Sequence, residues 1–241
     1  VANQDYDSAG GNSANGAGAA YIFYKNSGGT DNWGFVKKLT GKGTNGRVSS
    51  DNFGSSVAIS GDIVVVGAVQ QYYDSAGGNS LNYAGAAYVF NKSSGGTDNW
   101  GFVKKLTGKG TNGRLTGDFF GRSVSISGNA IVVGAYGQSY DSAGANSLNI
   151  CGAAYVFYQN SGGTNNWGFV KKLTGKGTNG RAASDYFGVS VSISGDVIVI
   201  GADWHDYDSA GGSNVTGAGA AWVFNKNSGG TDNWGVVKKL T

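Results

Sequence analysis

The sequence has no proline, no methionine and no glutamate, and it contains a single cysteine and a single histidine. All 15 acidic residues are therefore aspartates, and His205 has no cysteine or glutamate companions. General acid and base catalysis and metal binding both depend on such groups, so the chain offers few candidates for either. We expect no enzyme activity and no cofactor, and we interpret His205 as an exposed loop residue.

Charge and hydropathy exclude two further classes of protein. The formal net charge is only +3, and the basic residues are spread along the chain instead of forming one stripe, which argues against a nucleic-acid-binding surface. No apolar run reaches the roughly 18 residues that a membrane-spanning helix needs. We therefore expect neither a nucleic-acid partner nor a membrane span.

The chain is built from a repeat of 67 residues. The segment 51–68 returns at 118–135 and 185–202, and four tryptophans recur at the same spacing. Those tryptophans are Trp33, Trp100, Trp167 and Trp234. Since 241 residues correspond to about 3.6 repeats, the number of repeats determines the architecture.

Each repeat predicts four strands and no helix. Residues 56–60 alternate small and branched side chains, and residues 61–62 are a Gly-Asp pair that is typical of a tight hairpin. The second strand, 63–66, is apolar on both faces and should be buried on both sides. The third and fourth strands are expected at 86–90 and 100–106. A lysine pair in each fourth strand predicts a solvated outer edge.

Each repeat has four strands, of which the inner ones are buried and the last is exposed to solvent. This pattern indicates an all-β fold of β-propeller blades. A parallel β-helix is the alternative, but its coils are shorter than 67 residues and need no tight antiparallel hairpins. The repeat tryptophans should then pack between blades, with sugar stacking as the alternative. Cys151 stands where other repeats have Ala17, Ala84 or Ala218, which favours a small buried side chain over a reactive thiol.

The residues of the inner strands resemble a known family. Phe53-Gly54 is followed by Gly67-Ala68, and the same elements recur as Phe120-Gly121 with Gly134-Ala135 and as Phe187-Gly188 with Gly201-Ala202. This pattern is similar to the FG-GAP repeat of integrin α-subunit propellers and of many extracellular proteins. The resemblance implies a β-propeller, usually seven-bladed, and an extracellular or cell-surface location.

The sequence departs from that family in two places. Val69, Tyr136 and Asp203 replace the proline of the Gly-Ala-Pro element, which serves as a strand terminator, so its loss does not threaten the fold. Many members also carry an Asp-x-Asp-x-Asp-Gly calcium loop between strands one and two. Here that hairpin is too short to supply the six or more oxygens that calcium takes, so the family's calcium site should be absent.

The strand count predicts about three and a half blades in one region, 1–241. The predicted parts are an outer half-blade at 19–39 and blades at 53–106, 120–173 and 187–240. An exposed half-blade would leave an unpaired strand edge and invite self-association. We therefore expect the chain to belong to a longer propeller, with a ring completed by a dimer as the less favoured alternative.

The loops between strands two and three and between strands four and one should gather on one face of a propeller. Each loop that precedes a third strand carries a tyrosine, an aspartate and, a few residues on, an asparagine. These residues are Tyr6, Asp7, Asn12, Tyr73, Asp74, Asn79, Tyr140, Asp141, Asn146, Tyr207, Asp208 and Asn214. A ring, a carboxylate and an amide suit a sugar's apolar face and hydroxyls. The favoured alternative is that Asp and Asn hydrogen-bond their own loops.

Asp203, Asp206 and Asp208 cluster in the last repeat and are candidate calcium ligands, although a solvated acidic loop is the favoured interpretation. The leading functional hypothesis is a non-enzymatic extracellular or cell-surface propeller that binds a glycan or an extracellular protein through its long loops. One alternative is a structural repeat protein of a filament, sheath or adhesive. Another is an accessory domain of a larger hydrolase. Two sequons, at Asn91 and Asn214, matter only after secretion from a eukaryote.

Overall fold

The computed structural model describes residues 4–241, so the first three residues of the predicted region 1–241 lie outside the described residues. Residues 4–241 form 14 β-strands and no helix. The strands are β1 (Ala20–Tyr24), β2 (Gly34–Leu39), β3 (Phe53–Ser60), β4 (Ile63–Ala68), β5 (Ala86–Asn91), β6 (Gly101–Leu106), β7 (Ser123–Ser127), β8 (Ala130–Ala135), β9 (Ala153–Tyr158), β10 (Gly168–Leu173), β11 (Ser190–Ser194), β12 (Val197–Ala202), β13 (Ala220–Asn225) and β14 (Gly235–Leu240).

Hydrogen bonding arranges these strands into one two-stranded and three four-stranded sheets, each in chain order. β1 and β2 form the half-blade, β3–β6 form blade 1, β7–β10 form blade 2 and β11–β14 form blade 3. Every pair of neighbours is antiparallel. The predicted all-β fold of four-stranded antiparallel blades is confirmed.

A two-residue turn joins the first two strands of each blade. In blade 1, Ser60 pairs with Ile63 across Gly61-Asp62, and Gly61 has a φ of 54°. This left-handed conformation suits a residue without a Cβ, and it lets a short turn follow the twist of the strands. The innermost strands contact one another in succession, β3 with β7 and β7 with β11, so the blades stand side by side like the blades of a propeller.

The hydrophobic core lies between blades. One cluster joins Val65 and Val89 of blade 1 to Ile126 and Ile131 of blade 2, and an equivalent cluster joins blades 2 and 3. β4 and β8 are buried along their whole length, as the prediction for the second strand requires. In β12, alternate residues are exposed, because no blade follows blade 3 within residues 4–241.

Three of the four repeat tryptophans pack between blades, as predicted. Trp100, Trp167 and Trp234 are buried, whereas Trp33 of the half-blade is 60% exposed because no blade precedes it in the described part of the chain. Trp100 Nε1 donates to the Tyr24 hydroxyl at 2.9 Å, and Trp234 Nε1 donates to the Tyr158 hydroxyl at 2.8 Å. These two Trp-Tyr bonds join the half-blade to blade 1 and blade 2 to blade 3.

The seam between blades 1 and 2 is different, because Asn91 occupies the position of those tyrosines. A cavity of about 440 Å³ opens there, lined by Asn91, Phe102, Asn165 and Trp167 among others. The inter-blade seams are therefore not equivalent, although the repeats are nearly identical.

The prediction that the lysine pairs form a solvated edge is wrong for the second lysine in blades 1 to 3, whereas Lys38 of the half-blade is half-buried. Lys105 and Lys172 are only 3% and 4% exposed, and Lys239 is also buried. Successive strand residues point to opposite faces, so one lysine of each pair faces a neighbouring blade. The ammonium groups of Lys105 and Lys172 each lie 5.8 Å from the ring centre of a buried tyrosine. The side chains thus belong to the interior.

The buried lysines share the inter-blade space with buried aspartates. Asp51 accepts from the Val48 N–H at 2.7 Å and from Gln71 Nε2 at 2.9 Å, and Asp118 has the equivalent bonds in the next blade. Burial raises the pKa of Asp51 and Asp118 to about 7. Burial also lowers the pKa of Lys105 and Lys172 to about 8.

These shifts predict that stability is lowest near neutral pH. Between about pH 4 and 7 the folded chain keeps protons on Asp51 and Asp118 that the unfolded chain has released. The free energy of unfolding should therefore fall as pH rises, by about 1.4 kcal/mol per pH unit for each carboxyl. Above about pH 8 the unfolded chain holds protons on Lys105 and Lys172 that the folded chain has lost, so stability should rise again.

Urea unfolding measured from pH 4 to pH 10 checks this profile. Asp118→Asn is the matched variant, because it removes one carboxyl and should make the decline between pH 4 and 7 about half as steep. A stability that rises across that interval would show that the two carboxyls are ionised in the folded chain.

Candidate functional site

The long loops between strands two and three and between strands four and one lie together, and we call the surface they form the long-loop face. It comprises residues 4–19, 40–52, 69–85, 107–122, 136–152, 174–189 and 203–219. Asparagine side chains connect the loops of adjacent blades. Asn45 Nδ2 donates to the Gly77 carbonyl at 2.9 Å, and Asn112 Nδ2 donates to the Gly144 carbonyl at 3.0 Å. The face is therefore a continuous surface across the blades.

The aspartates proposed as ligand-binding groups hold their own loops in shape. Asp7 Oδ1 accepts from the N–H groups of Ala9 and Gly11 at 2.9 and 3.0 Å, while its Oδ2 accepts from Asn12 Nδ2 at 2.6 Å. The same pattern recurs at Asp74 with Asn79 and at Asp141 with Asn146. The geometry is that of the Asx-type loop considered as the alternative.

Hydrogen bonding also shifts the ionisation of these carboxyls. The backbone N–H groups of Gly11 and Ala145 lower the pKa of Asp7 and Asp141 well below the usual range. The Gly212 N–H is the main cause that lowers the pKa of Asp208 to about 2. Since the charged oxygens are already satisfied inside the loops, the sugar-binding role of the aspartates and asparagines stays a prediction that their geometry does not favour.

Asn214 does not belong with the other three asparagines. Ser213 occupies the equivalent position, where its N–H donates to Asp208 Oδ2 at 3.0 Å. Asn214 instead forms a β-bridge with Tyr207, as Ser147 does with Tyr140. The assignment of Asn214 to that series was wrong by one position.

The repeated tyrosines differ in their exposure. Tyr6 is exposed, whereas Tyr73, Tyr140 and Tyr207 are half-buried. None of the four has a ring contact with another of the four in the described residues. They therefore do not form one common aromatic surface.

The candidate calcium ligands do not come together. Within residues 4–241, no three His, Cys, Asp or Glu side chains are grouped closely enough to hold a metal ion. Asp206 Oδ1 accepts from the Gly217 N–H at 2.8 Å, and Asp208 is occupied by its own loop, while Asp203 is exposed. The calcium site at these residues therefore stays a prediction that their geometry does not favour.

His205 is fully buried, so its interpretation as an exposed loop residue was wrong. It takes the position of Gln71 and Gln138 in the inter-blade space, and its Nδ1 lies 2.9 Å from Asp185 Oδ1. Its ring packs edge-on against Trp222 at 5.0 Å. Cys151 is buried, as predicted, and burial raises the pKa of its thiol.

Sequence reasoning missed a row of six aromatic side chains that crosses the long-loop face. We call it the aromatic row, and its members are Tyr72, Tyr83, Phe119, Tyr136, Tyr186 and Trp204. In that order, successive ring centroids are 5.6, 5.9, 5.0, 5.7 and 6.3 Å apart. Tyr83, Phe119 and Tyr136 are stacked, with interplanar angles of 17° and 10°. The row runs from the loops of blade 1 to those of blade 3.

Part of the row stands on unusual backbone. Tyr83, Phe119 and Tyr186 have φ values of 54°, 53° and 56°, in the left-handed region that bulky residues rarely adopt. The equivalents of Tyr83 are Gly16, Ile150 and Gly217, which have φ values of 65°, 51° and 64°. The same conformation occurs at Asn52, the equivalent of Phe119 outside the row, so it belongs to the repeat and not to the row alone. The row could have been found by asking where the copies differ, because its members occupy positions that are not aromatic in every repeat.

The comparisons with known proteins identify the family of the chain. Among residues 4–241 there is no helix long and apolar enough to cross a membrane. No curated protein matches the sequence. One solved structure with some similarity is the crystal structure of the computationally designed Ika8 protein. The alignment covers 94% of this chain and 82% of the Ika8 chain, at 10% sequence identity and a TM-score of 0.29. The model of the FG-GAP repeat matches residues 33–90, 100–157 and 167–224, and the chain therefore belongs to the FG-GAP repeat family.

Proposed function

We propose that this protein is a non-enzymatic, extracellular or cell-surface propeller that binds a glycan along the aromatic row. Membership of the FG-GAP repeat family supports the general class, because such propeller repeats are often found in adhesion proteins. The observation that carries the proposal is the uninterrupted succession of six rings across a surface made of loops.

The chemistry of the row suits sugars. A pyranose ring offers an apolar C–H face that packs on an aromatic ring, and the Tyr hydroxyl and Trp N–H can bond the sugar hydroxyls. Tyr83 and Trp204 are the most exposed members, at 40% and 56%. Burial raises the pKa of the Tyr136 hydroxyl, and the positive charge of the exposed Arg122 nearby offsets part of that rise. Arg122 is thus a candidate donor to a sugar bound at Tyr136.

The extent of the row favours an extended oligosaccharide over a single sugar. Six rings in succession provide several weak contacts, and contacts linked in one ligand reinforce one another. The affinity should therefore increase with the length of the sugar chain, because a longer chain reaches more of the row.

Titration calorimetry with β-linked glucose and N-acetylglucosamine oligomers of two, four and six residues tests the proposal. The hexamer of a bound series should bind at least tenfold more tightly than the dimer. Trp204→Ala and Tyr83→Gly should each weaken hexamer binding about tenfold, which corresponds to about 1.4 kcal/mol. Tyr83→Gly should leave the fold intact, because glycine is the residue found at this position in two other repeats.

Tyr6→Ala is the matched control, because Tyr6 is exposed on the same face but has no ring contact with the row. Its affinity should equal that of the unmodified chain. The proposal would be contradicted if neither row variant changed the affinity for the hexamer, or if the affinity did not depend on oligomer length. Loss of binding in Tyr6→Ala alone would move the site to the repeated tyrosines.

A further inference from the structure

In two of the three seams between the described blades, a tyrosine side chain fills a place formed by the following blade. Between the half-blade and blade 1, the Tyr24 hydroxyl accepts from Trp100 Nε1 at 2.9 Å and donates to Asp98 Oδ1 at 2.8 Å. The ammonium of Lys92, which pairs with Asp98, lies 5.3 Å from the centre of the tyrosine ring. The equivalent set between blades 2 and 3 consists of Tyr158, Trp234, Asp232 and Lys226.

The seam between blades 1 and 2 keeps the tryptophan of this set and changes its other three members. Asn91, Gln159 and Asn165 occupy the positions of the tyrosine, the lysine and the aspartate. Asn91 Oδ1 accepts from the Ser93 N–H at 2.8 Å, so this amide is held in its own turn. Trp167 is 1% exposed, and among residues 4–241 its Nε1 has no hydrogen-bond acceptor. A donor on a buried side chain is thus unpaired at the place where the other seams supply a hydroxyl, which is costly.

The cavity in this seam is large enough for a small ligand. Its volume is about 440 Å³, whereas the cavity lined by Tyr158 and Trp234 in the seam between blades 2 and 3 has a volume of about 230 Å³. All residues that line the larger cavity are uncharged. Volumes of about 300 Å³ and more are typical of sites for small molecules. An uncharged cavity with an unpaired N–H therefore suits a neutral ligand that has an apolar body and a hydrogen-bonding group.

We propose that this cavity binds a small neutral phenol, which takes the place that tyrosine side chains fill in the other two seams. The ligand hydroxyl accepts from Trp167 Nε1 and donates to Asn165 Oδ1. That oxygen already accepts from Gln159 Nε2 at 2.6 Å, and an amide oxygen has a second lone pair. The ligand ring packs edge-on against Trp167, as the Tyr24 ring does against Trp100 at a centroid distance of 6.5 Å and an interplanar angle of 64°.

The change from charged to uncharged neighbours decides which phenols fit. Lys92 and Asp98 form an ion pair at 3.2 Å beside Tyr24, whereas Gln159 and Asn165 form a neutral hydrogen bond beside the cavity. A carboxylate or a phenolate would find no charged residue on the cavity wall and would lose its hydration without compensation. The ligand class is therefore monocyclic phenols that carry no charge.

Titration with p-cresol, which is the tyrosine side chain as a free molecule, tests the proposal. In ¹H–¹⁵N NMR spectra, one p-cresol per chain should shift the indole N–H resonance of Trp167, which the Trp167→Phe variant identifies by its absence. Toluene lacks only the hydroxyl and should bind at least tenfold more weakly, because it leaves the N–H unpaired. Equal affinity for the two probes, or no binding of p-cresol, would overturn the proposal.

Asn91→Tyr fills the cavity with the residue that the other two seams use. This variant should bind p-cresol at least tenfold more weakly and should have a higher Tm, because its own hydroxyl accepts from Trp167 Nε1. Asn225→Tyr is the matched control, since Asn225 is the equivalent residue of blade 3 and no blade follows it within residues 4–241. Its affinity for p-cresol should equal that of the unmodified chain. Unchanged affinity in the Asn91→Tyr variant would place the phenol elsewhere and overturn the proposal.

The phenol site and the glycan site can fail separately. The cavity lies beside the turns that join the third and fourth strands, at the opposite end of the strands from the long-loop face. Oligosaccharide binding by the Asn91→Tyr variant should therefore equal that of the unmodified chain.

A second phenol site can be built between blades 2 and 3. Tyr158→Asn, Lys226→Gln and Asp232→Asn together give that seam the residues of the middle one, while Trp234 is kept. The triple variant should bind two p-cresol molecules, and p-cresol should raise its Tm more than that of the unmodified chain. A folded triple variant that binds only one molecule would overturn the proposal, because these residues would then not form the site.

Discussion

Replacing Gly85 with alanine is expected to lower the free energy of unfolding by about 3 kcal/mol or more. Gly85 has a φ of 79°, and a Cβ at this position would lie 2.1 Å from the carbonyl oxygen of Phe120. The two residues form a parallel bridge between the loop of blade 1 and the start of blade 2. An added methyl group would therefore force two blades apart, in addition to straining the backbone. Urea unfolding measures the loss.

Gly219→Ala is the matched control for this substitution. Gly219 occupies the same position in blade 3 and has the same φ of 79°, but its added Cβ would come no closer than 3.4 Å to Asp203. Only the backbone strain remains, which costs about 1 kcal/mol. Equal losses in the two variants would mean that the contact between blades does not explain the requirement for glycine.

Trp167→Ala is expected to cost about 3 to 5 kcal/mol, as truncation of a large buried side chain does. Trp167 is 1% exposed and belongs to the cluster that joins blades 1 and 2. The same substitution at Trp33, which is largely exposed, should change the free energy of unfolding by less than about 0.5 kcal/mol. Because the same substitution is made at equivalent positions, the difference between the two losses measures how much packing against a preceding blade stabilises the chain.

Chemical denaturation of both tryptophan variants checks this difference. A comparable loss at Trp33 would indicate that the half-blade is covered in solution by another polypeptide. A small loss at Trp167 would contradict the packing between blades 1 and 2. Either outcome is decided by the difference between the two variants, so it does not depend on the absolute stability of the chain.

The sequence predicted the strands well because two signals coincide. The 67-residue period aligns the copies, and alternation and turn residues locate the strands within each copy, as at Gly61-Asp62. The errors at Lys105 and His205 have one cause. Local patterns describe a single strand or loop, whereas the burial of these side chains depends on the adjacent blade. A polar residue that faces a neighbouring blade looks like a surface residue in the sequence.

The candidate site was harder to predict for the opposite reason. Tyr6, Asp7 and their copies were predicted as site residues because they recur in every repeat. Residues that recur in every loop, however, are those that each loop needs in order to fold. The aromatic row is assembled from positions such as Tyr83 and Phe119, whose equivalents include Gly16 and Asn52. Only Phe119 and Tyr186 are related by the 67-residue period, and the other four members occupy unrelated positions of the repeat. Their proximity arises only when the blades are placed side by side.

The alternation of Tyr24, Asn91 and Tyr158 along the outer hairpins has a mechanical consequence. The hydrogen bond from Trp100 to Tyr24 joins the half-blade to blade 1, and the hydrogen bond from Trp234 to Tyr158 joins blade 2 to blade 3. The seam between blades 1 and 2 has Asn91 at the equivalent position, so it lacks this Trp-Tyr hydrogen bond and has a cavity beside it. Each seam has a bond from a lysine ammonium to an asparagine, such as Lys104 Nζ to Asn166 Oδ1 in the middle seam, so the Trp-Tyr bond is the difference between them. We therefore expect the seam between blades 1 and 2 to open first under tension.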